Sequence, residues 1–354
     1  MSMEIDNKVL DRDALIQWLE ERDPRKLERL YAAAYTAKRE TVGENVYLRG
    51  LVEISNICRK NCLYCGIRRD NHAAGRYEIS LEEVLQSAEF AYKEGYASLV
   101  IQGGERTDRA FIGRITSLLK EIKRRWPLGI TLSLGEQPLD VYQEWFGAGA
   151  HRYLLRIESS SRELYEKIHP VDSVHSYDSR VQALKDLRTA GYQVGTGVMI
   201  GLPFQTSAHL ADDLLFFKKM DIDMCGMGPY LEHSQTPLYQ YRHMLLPQTE
   251  RLELSIKMVA LLRLLMPDIN IAATTAMQAI DPNGRERAIL SGANVLMPNL
   301  TLAEVREEYQ IYQNKPGVGE DAAISSSRTE QRLNEMKIPI GWGQWGDSRH
   351  FEKR

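Results

Sequence analysis

The sequence predicts an α/β fold, a closed (β/α)8 (TIM) barrel preceded by a helical segment and followed by an extension. From about residue 46 onward, short β-rich runs alternate with amphipathic helical stretches, which is the pattern of parallel βα units. Eight such units fit within residues 46–312, and eight units close a barrel. The active site of such a barrel lies at the carboxyl ends of its strands. An open doubly wound sheet is the alternative that this pattern leaves open.

The predicted elements follow one another in regular order. The strands are short and rich in apolar and β-branched residues, and the helices show apolar residues at helical spacing. The predicted strands span 46–54, 98–102, 130–134, 153–158, 193–200, 224–227, 269–273 and 294–297. The predicted helices span 81–94, 111–126, 139–146, a stretch ending near 190, 208–220, 248–266, 284–291 and 302–312.

Two segments flank the predicted barrel. Residues 11–39 are charged and helical with an apolar face, and Asp23-Pro24 divides them into two helices. After residue 312 the composition shifts to glycine, serine and tryptophan, so this part forms a tail or cap. Trp342 and Trp345 could cap the barrel or pack on its side. The predicted organisation is 1–45 N-terminal helical preface, 46–312 barrel and 313–354 C-terminal extension.

Composition excludes several classes of protein. The chain has 354 residues, 43% of them hydrophobic, which excludes a disordered chain. Its net charge of −3 provides no global basic field, so we expect neither nucleic acid nor a membrane as partner. No apolar run approaches 18 residues, and residues 1–8 lack the features of a signal or transit peptide. The expected location is the reducing cytoplasm.

Three of the four cysteines, Cys58, Cys62 and Cys65, fall within eight residues. They form a CxxxCxxC pattern directly after the first predicted strand, which indicates a shared ligand role. Thiolates suit iron–sulfur clusters and zinc. A structural zinc site needs four ligands, and the sequence has no second cysteine pair and no HxxxH, so zinc is the weaker alternative. The fourth cysteine, Cys225, is expected to be an inert core residue.

Two charged residues end the fourth predicted strand, Arg156 and Glu158. Strand alternation points both side chains to the same side, so they can share one pocket. A carboxylate can bind ribose hydroxyls, and a guanidinium can bind a carboxylate through two parallel hydrogen bonds. The alternative is an internal ion pair in the barrel mouth.

The CxxxCxxC motif at the end of a first barrel strand resembles the signature of the radical S-adenosylmethionine (SAM) enzymes. This resemblance implies a [4Fe–4S] cluster held by the three cysteines, with the fourth iron chelating SAM, and reductive cleavage of SAM to a 5′-deoxyadenosyl radical. Tyr64 resembles an aromatic residue of that superfamily whose backbone meets the adenine. The segment Gln102-Gly103-Gly104-Glu105 resembles its "GGE" motif, which lies along the methionine end of SAM.

Five further segments resemble the HydE family of radical SAM maturases over residues 46–312. They are residues 59–71, 132–136, 212–216, 272–277 and 292–299. The resemblance implies that SAM is bound by Gln102, Gly104, Glu105, Thr131, Ser133, Glu158 and Arg180, with Met199 near the adenosine. It implies that the substrate is bound by Arg156, Thr274, Thr275, Met297 and Tyr309. Without the resemblance, Arg180 would be an ordinary helix-surface residue and Met199 a core residue. The threonine pair would reflect β-propensity and a helix cap.

The family reaction starts from an organometallic substrate, an iron–cysteine complex that carries carbon monoxide and cyanide. The resemblance implies a partner maturase that supplies this complex and an electron donor such as ferredoxin or flavodoxin. The product would be a sulfur-bridged diiron precursor of the [FeFe]-hydrogenase cofactor.

The chain also departs from the family pattern. Residues 315–328 contain no cysteine, so the second cluster of some members is predicted absent. Ile157 and Val305 are apolar where some members have histidine and an aromatic residue. A HydE paralogue on another small carboxylate-bearing substrate therefore stays open, as does a methylornithine-synthase-like mutase.

Three other classes are disfavoured. A biotin-synthase-like sulfur inserter needs further cysteines, and only Cys225 is left. An electron-transfer iron–sulfur protein needs a fourth ligand from the protein, which the sequence does not offer. An RNA-modifying radical enzyme would be expected to carry basic patches or an RNA-binding extension, which a net charge of −3 argues against.

Overall fold

The computed structural model describes residues 10–354. Its strands are β1 Tyr47–Ser55, β2 Ser98–Gly103, β3 Gly129–Ser133, β4 Arg152–Leu154, β5 Gln193–Thr196, β6 Met199–Ile200, β7 Met224–Cys225, β8 Gly228–Pro229, β9 Asn270–Ile271 and β10 Val295–Leu296. Its helices are α1 Arg12–Glu20, α2 Pro24–Thr41, α3 Leu81–Lys93, α4 Arg109–Arg125, α5 Leu139–Gly147, α6 Arg162–Ile168, α7 Tyr177–Thr189, α8 Ser207–Lys219, α9 Gln248–Leu265, α10 Thr275–Ile280, α11 Gly284–Leu290, α12 Ala303–Arg306, α13 Ala322–Glu335 and α14 Arg349–Glu352.

Eight parallel strands form the barrel in the order β10-β1-β2-β3-β4-β5-β7-β9. A parallel bridge between Ala272 and Val295 joins the two ends of this sheet. The short pair β6–β8 continues the barrel wall beyond β5 and β7. The predicted (β/α)8 barrel is therefore confirmed, and the open doubly wound sheet is excluded.

Helix starts follow local sequence signals. Ser80 and Glu83 form a reciprocal capping box at the start of α3, and Asp108 caps α4 through the Phe111 N–H. Pro24 occupies the first turn of α2, where its missing N–H costs nothing, and Asp23 caps the same helix. The predicted break between the two preface helices is therefore confirmed. The expectation about residues 1–8 lies outside the described residues.

From the fourth strand onward, the barrel departs from the predicted elements. The fourth strand ends at Leu154, and the fifth is interrupted between β5 and β6. The helix expected over 302–312 has only the four residues of α12. Tertiary contacts explain this last difference, because the Gly66 N–H donates to the Ile311 carbonyl and the Asn56 side-chain amide donates to the Glu308 carbonyl. These bonds pull the chain across the barrel mouth.

The tail closes the amino end of the barrel, opposite the mouth. The Arg49 guanidinium donates to the Gly346 carbonyl at 2.8 Å, and Arg152 Nη1 donates to the Trp345 carbonyl at 3.0 Å. The Trp342 ring stacks on Tyr96, with ring centroids 5.8 Å apart. The structure thus decides what the sequence left open, because the tail caps the barrel at this end. No helix in residues 10–354 is both long and apolar enough to cross a membrane.

Candidate active site

A cavity of about 340 Å³ opens at the carboxyl ends of the strands. All but one of the sequence-predicted site residues line it. Those residues are Cys58, Cys62, Tyr64, Cys65, Gln102, Gly104, Glu105, Ser133, Arg156, Glu158, Arg180, Met199, Thr274, Thr275, Met297 and Tyr309. The topology explains this convergence, because the carboxyl ends of parallel barrel strands surround one opening.

The cysteine loop, residues 58–65, leaves β1 and packs against the segment that follows β2. The Glu105 N–H donates to Cys58 Sγ at 3.3 Å, and the Arg59 N–H donates to the Glu105 carbonyl at 2.9 Å. A Cβ atom at Gly104 would lie 2.3 Å from the Ile57 carbonyl oxygen. Only glycine allows this close approach of the two backbones, which is the physical reason for glycine at this position.

Burial governs the protonation of the three thiols. It raises the pKa of Cys62 to about 12 and raises the pKa of Cys58 and Cys65 as well. A bound iron centre reverses this preference, because a metal ion stabilises thiolate over thiol. Within residues 10–354 no three His, Cys, Asp or Glu side chains are placed to hold one metal ion. In a [4Fe–4S] cluster each cysteine would bind a different iron.

An ion-pair network joins the cysteine loop to the segments after β2 and β3 and to α7. It consists of Lys60, Glu105, Glu136 and Arg180. Lys60 Nζ lies 3.0 Å from Glu136 Oε2 and 3.5 Å from Glu105 Oε1. Arg180 pairs with the other oxygen of Glu136. Although burial opposes it, Arg180 and Lys60 hold the pKa of Glu136 below its ordinary value. The predicted residues Glu105 and Arg180 are therefore already paired with protein groups.

The sequence analysis missed Lys60 and Glu136 as parts of this network. Lys60 is only 3% exposed, although a lysine in a polar loop gives no signal that it is buried. Glu136 ends the segment 132–136, which resembles a family motif but gives no sign that this carboxylate pairs with Lys60 and Arg180. Two residues of the region after α12, Tyr312 and Lys315, also line the cavity. Lys315 belongs to the predicted C-terminal extension, so the extension contributes directly to the site.

Arg156 and Glu158 lie on the wall beyond β4. Arg156 Nη2 is 3.0 Å from Glu158 Oε2 and donates to the Val198 carbonyl at 2.8 Å. The contact between the two charged groups is not aligned as a hydrogen bond, and Glu158 Oε2 is buried without a hydrogen-bond partner. Burial raises the pKa of Glu158. The ion-pair interpretation and the shared-pocket interpretation therefore both hold for this pair.

The prediction that strand alternation points Arg156 and Glu158 to the same side was wrong. The strand β4 ends at Leu154, before both residues, and Glu158 has a φ of 66° in the left-handed region. The Glu158 N–H donates to the Gly197 carbonyl at 3.0 Å, and a bridge joins Glu158 to Val198. The neighbouring strand region therefore fixes the direction of Glu158.

Hydroxyl groups line the opposite wall of the cavity. Thr274 is the N-cap residue of α10, but its side chain makes no capping hydrogen bond, and its hydroxyl donates to the Met227 carbonyl at 3.4 Å. Thr274 therefore occupies the cap position that the helix-cap alternative predicts, but its hydroxyl does not cap the helix. On another part of the wall, Gln102 Nε2 donates to Tyr309 Oη at 3.2 Å.

Thr131 is the predicted site residue that does not line the cavity. It precedes Ser133 by two residues on β3, so it lies one layer deeper in the barrel. Its hydroxyl accepts a 3.0 Å hydrogen bond from Arg152 Nε, and the residue is fully buried. Arg152 therefore already binds the Thr131 hydroxyl, the group that was expected to bind SAM.

Cys225 also lies outside the cavity lining, fully buried on β7. Burial raises the pKa of its thiol. The structure thus places it in the core, as expected.

The cavity fits the cofactors that the sequence implied. Cys58, Cys62 and Cys65 would hold the cluster from one wall. The Glu158 carboxylate, whose Oε2 faces Arg156 but accepts no hydrogen bond, is an acceptor suited to ribose hydroxyls, and Met199 supplies an apolar surface in the same cavity.

The chain is similar to several known proteins. A family model described as "Radical SAM superfamily" matches residues 52–217. The chain is 42% identical to the "[FeFe] hydrogenase maturase subunit HydE" of Thermotoga maritima, over 98% of this chain and 97% of that protein. It is 25% identical to the "3-methylornithine synthase" of Methanosarcina acetivorans, over 82% and 80% of the two chains. The crystal structure of methylornithine synthase (PylB) has the same fold, with a TM-score of 0.77 and 22% identity over 95% of each chain.

Proposed function

The chain belongs to the HydE family of radical SAM enzymes, and from that membership we propose its substrate. It is a HydE-type hydrogenase maturase that uses a [4Fe–4S] cluster and SAM. The proposed substrate is a mononuclear iron–cysteine complex that carries carbon monoxide and cyanide. The proposed product is a sulfur-bridged diiron precursor of the [FeFe]-hydrogenase cofactor.

One observation supports a small substrate that carries a carboxylate, and the family membership points to the iron–cysteine complex among such molecules. The cavity that contains the three cysteines also contains Arg156 on one wall and the hydroxyls of Thr274 and Thr275 on another. A guanidinium and two hydroxyls are groups that bind a carboxylate, such as that of an iron-bound cysteine. The volume of about 340 Å³ suits a small molecule rather than a polymer.

The residues of the chain divide the work between binding and positioning. When bound, the cluster and SAM supply the reductive cleavage that yields the 5′-deoxyadenosyl radical. Glu158 would accept hydrogen bonds from the ribose, and Arg156 would orient the substrate carboxylate. The backbone contacts between Glu105 and the cysteine loop hold that loop in place. The chain that crosses the barrel mouth from Tyr309 to Tyr312 would exclude water from the radical chemistry.

The proposal includes partners that supply substrate and electrons. A partner maturase would deliver the iron complex, and a ferredoxin or flavodoxin would reduce the cluster. The reducing cytoplasm is the proposed compartment, because the three cluster cysteines must stay reduced to bind iron.

A second candidate is a reaction on an amino acid, as in the 3-methylornithine synthase that the chain resembles at 25% identity. The same arginine and threonine groups suit an amino-acid carboxylate. Ile157, the apolar residue beside Arg156, is fully buried in the core and does not line the cavity, so the candidate depends on the carboxylate-binding groups alone.

An anaerobic assay separates the two candidates. The reconstituted, reduced protein is examined by electron paramagnetic resonance with and without SAM. Formation of 5′-deoxyadenosine is then measured with the iron–cysteine complex, with free cysteine and with lysine. We expect a spectrum that shifts with SAM and nucleoside formation coupled to consumption of the iron complex. Coupling to lysine instead would discard the proposed substrate but retain the radical enzyme.

Two cysteine variants control this experiment. Cys62→Ala removes a cluster ligand and should abolish both cluster binding and SAM cleavage. Cys225→Ser changes a buried thiol outside the cavity and should leave the cluster spectrum intact. A normal cluster with full SAM cleavage in Cys62→Ala would contradict the assignment of the cluster site.

A further inference from the structure

A second, smaller cavity of about 70 Å³ adjoins the active-site cavity. It lies between the end of β10 and the C-terminal extension. Four residues line both cavities and separate them, namely Leu51, Thr275, Met297 and Lys315. The smaller cavity is polar, with groups from Gln278 and Ser325 in its wall.

Arg285, on α11, lines this smaller cavity and is only 8% exposed. Its Nε–H is buried without a hydrogen-bond partner. Among residues 10–354, no carboxylate lies within ion-pair distance of this guanidinium. The adjacent Glu286 pairs with Arg332 instead, at 2.9 Å.

The other cations at this cavity are already neutralised. Lys315 pairs with Glu53, and Arg328 pairs with Glu320. Arg285 is therefore the cation in this wall, within the described chain, that lacks a carboxylate partner. Glu286 and Glu320 act on Arg285 from a distance, but neither carboxylate is in ion-pair contact with it.

Two other buried arginines, Arg263 and Arg306, are satisfied by carbonyl groups. Arg263 donates to the carbonyls of Gly292, Pro267 and Ile269, and Arg306 donates to several carbonyls of the loops around it. Burial of a charge is unfavourable unless the charge is paired and hydrogen-bonded. Arg49 also has a buried Nε without a partner, but its Nη atoms donate to Met224 Sδ and to the Gly346 carbonyl. Within the described chain Arg285 makes no hydrogen bond through its guanidinium, and it lines a cavity large enough for a small ion.

We propose that Arg285 binds a small carboxylate in this cavity, next to the active site. The planar guanidinium presents parallel N–H groups that match a carboxylate, and Gln278 and Ser325 supply further donors. The volume of about 70 Å³ limits the ligand to the size of formate or acetate. Burial lowers the pKa of Arg285, and a bound anion opposes that effect. The proposal stands apart from the proposed substrate, since it concerns a different cavity.

Thermal unfolding of the full chain in sodium formate tests this site, with ionic strength held constant by chloride. A ligand that binds only the folded state raises the unfolding midpoint, by about 5 °C at 100 times its Kd. We expect this rise in the unaltered protein and its loss in Arg285→Gln. Arg287→Gln is the matched control, because Arg287 lies on the same helix but pairs with Glu253 and Asp281. That control should retain the rise.

Two results would overturn the site. One is an unaltered protein whose midpoint does not respond to formate. The other is an equal response in the unaltered protein and in Arg285→Gln.

Crystals of the unaltered protein soaked in formate keep the proposal testable if Arg285→Gln does not fold. Planar density within hydrogen-bond distance of the Arg285 guanidinium supports the site. Water or empty density at that position overturns it.

Discussion

Charged side chains in the barrel mouth neutralise one another before any ligand binds. Glu136 lies between Lys60 and Arg180, and Arg156 faces Glu158 at 3.0 Å. Each of these groups is largely withdrawn from water, so each needs a partner of opposite charge. A ligand that enters the cavity must therefore compete with Glu158 for Arg156, or with Arg156 for Glu158.

At this scale, Arg156→Leu should impair turnover more than cluster assembly. We expect kcat/KM for the carboxylate substrate to fall by about 10- to 100-fold, because a charge-assisted hydrogen bond contributes about 1.5–3 kcal/mol. The cluster spectrum should stay normal, and Arg156→Lys should restore part of the activity. Arg162→Leu is the control, since Arg162 pairs with Asp178 on the surface. Equal loss of cluster and turnover in Arg156→Leu would indicate a structural role.

Among the elements, α8 is tied to the loop after β4 by one buried carboxyl group. Asp213 Oδ1 accepts hydrogen bonds from the Ser160 N–H at 2.7 Å and from the Ser160 hydroxyl at 2.6 Å. Its other oxygen has no hydrogen-bond partner. Burial raises the pKa of Asp213 to about 7. The protonated form is therefore the one that suits this position.

A stability change with pH follows from Asp213. Its pKa is 3.8 in the reference state and about 7 in the folded state, so the folded state binds the extra proton between these values. Stability contributed by this group is present below pH 4 and is lost as pH rises to about 7, by at most about 4 kcal/mol.

The variant Asp213→Asn should remove this slope, because the amide oxygen still accepts from Ser160 and carries no charge. Urea unfolding at pH 5 and pH 7 measures it. Asp212→Asn, on the exposed neighbour that pairs with Arg12, is the control and should retain the slope. The same pH dependence in the unaltered protein and in Asp213→Asn would show that another group is responsible.

Over the whole molecule, the tail and the barrel interior depend on each other. Arg49 and Arg152 point into the amino end of the barrel, and the tail supplies carbonyl groups and Asp347 to them. His151 Nε2 lies 3.1 Å from the same Asp347 carboxylate. The tail is therefore part of the barrel core rather than an appendage, because without it two buried guanidinium groups lose acceptors.

Asp347→Asn should consequently destabilise the whole fold by about 3 kcal/mol, since it leaves Arg152 buried without a counter-charge. Although burial opposes it, His151 and Arg152 hold the pKa of Asp347 below its ordinary value. A lowered carboxyl pKa contributes stability that is present at neutral pH and is lost as pH falls below about 4. The variant should therefore lose less stability on acidification than the unaltered protein.

Urea unfolding at pH 7 and pH 3 checks both statements. Arg349→Gln is the control, because its pair with Glu352 is exposed and contributes little. A change below about 0.5 kcal/mol in Asp347→Asn at pH 7 would mean that the tail carbonyl groups alone satisfy Arg152.

The sequence by itself determined the eightfold alternation of strands and helices, the break at Asp23-Pro24 and the cluster cysteines. These features depend on local periodicity, on helix-start chemistry and on residues that are close along the chain, all of which are present before folding. Most of the candidate site residues were named from the resemblance to a known family, which such local motifs carry, and they include Arg180 on a helix and Tyr309 beyond the last strand.

Only the tertiary structure decided which polar groups meet across long distances in the chain. Thr131 bonds to Arg152, Lys60 reaches Glu136, and the tail satisfies Arg49. The chain beyond α12 leaves its predicted helix because Gly66 and Asn56 bind its carbonyls. A residue's type gives its hydrogen-bonding capacity but not its partner. The partner is fixed when burial removes water and every charge or N–H must find the acceptor that packing has placed beside it.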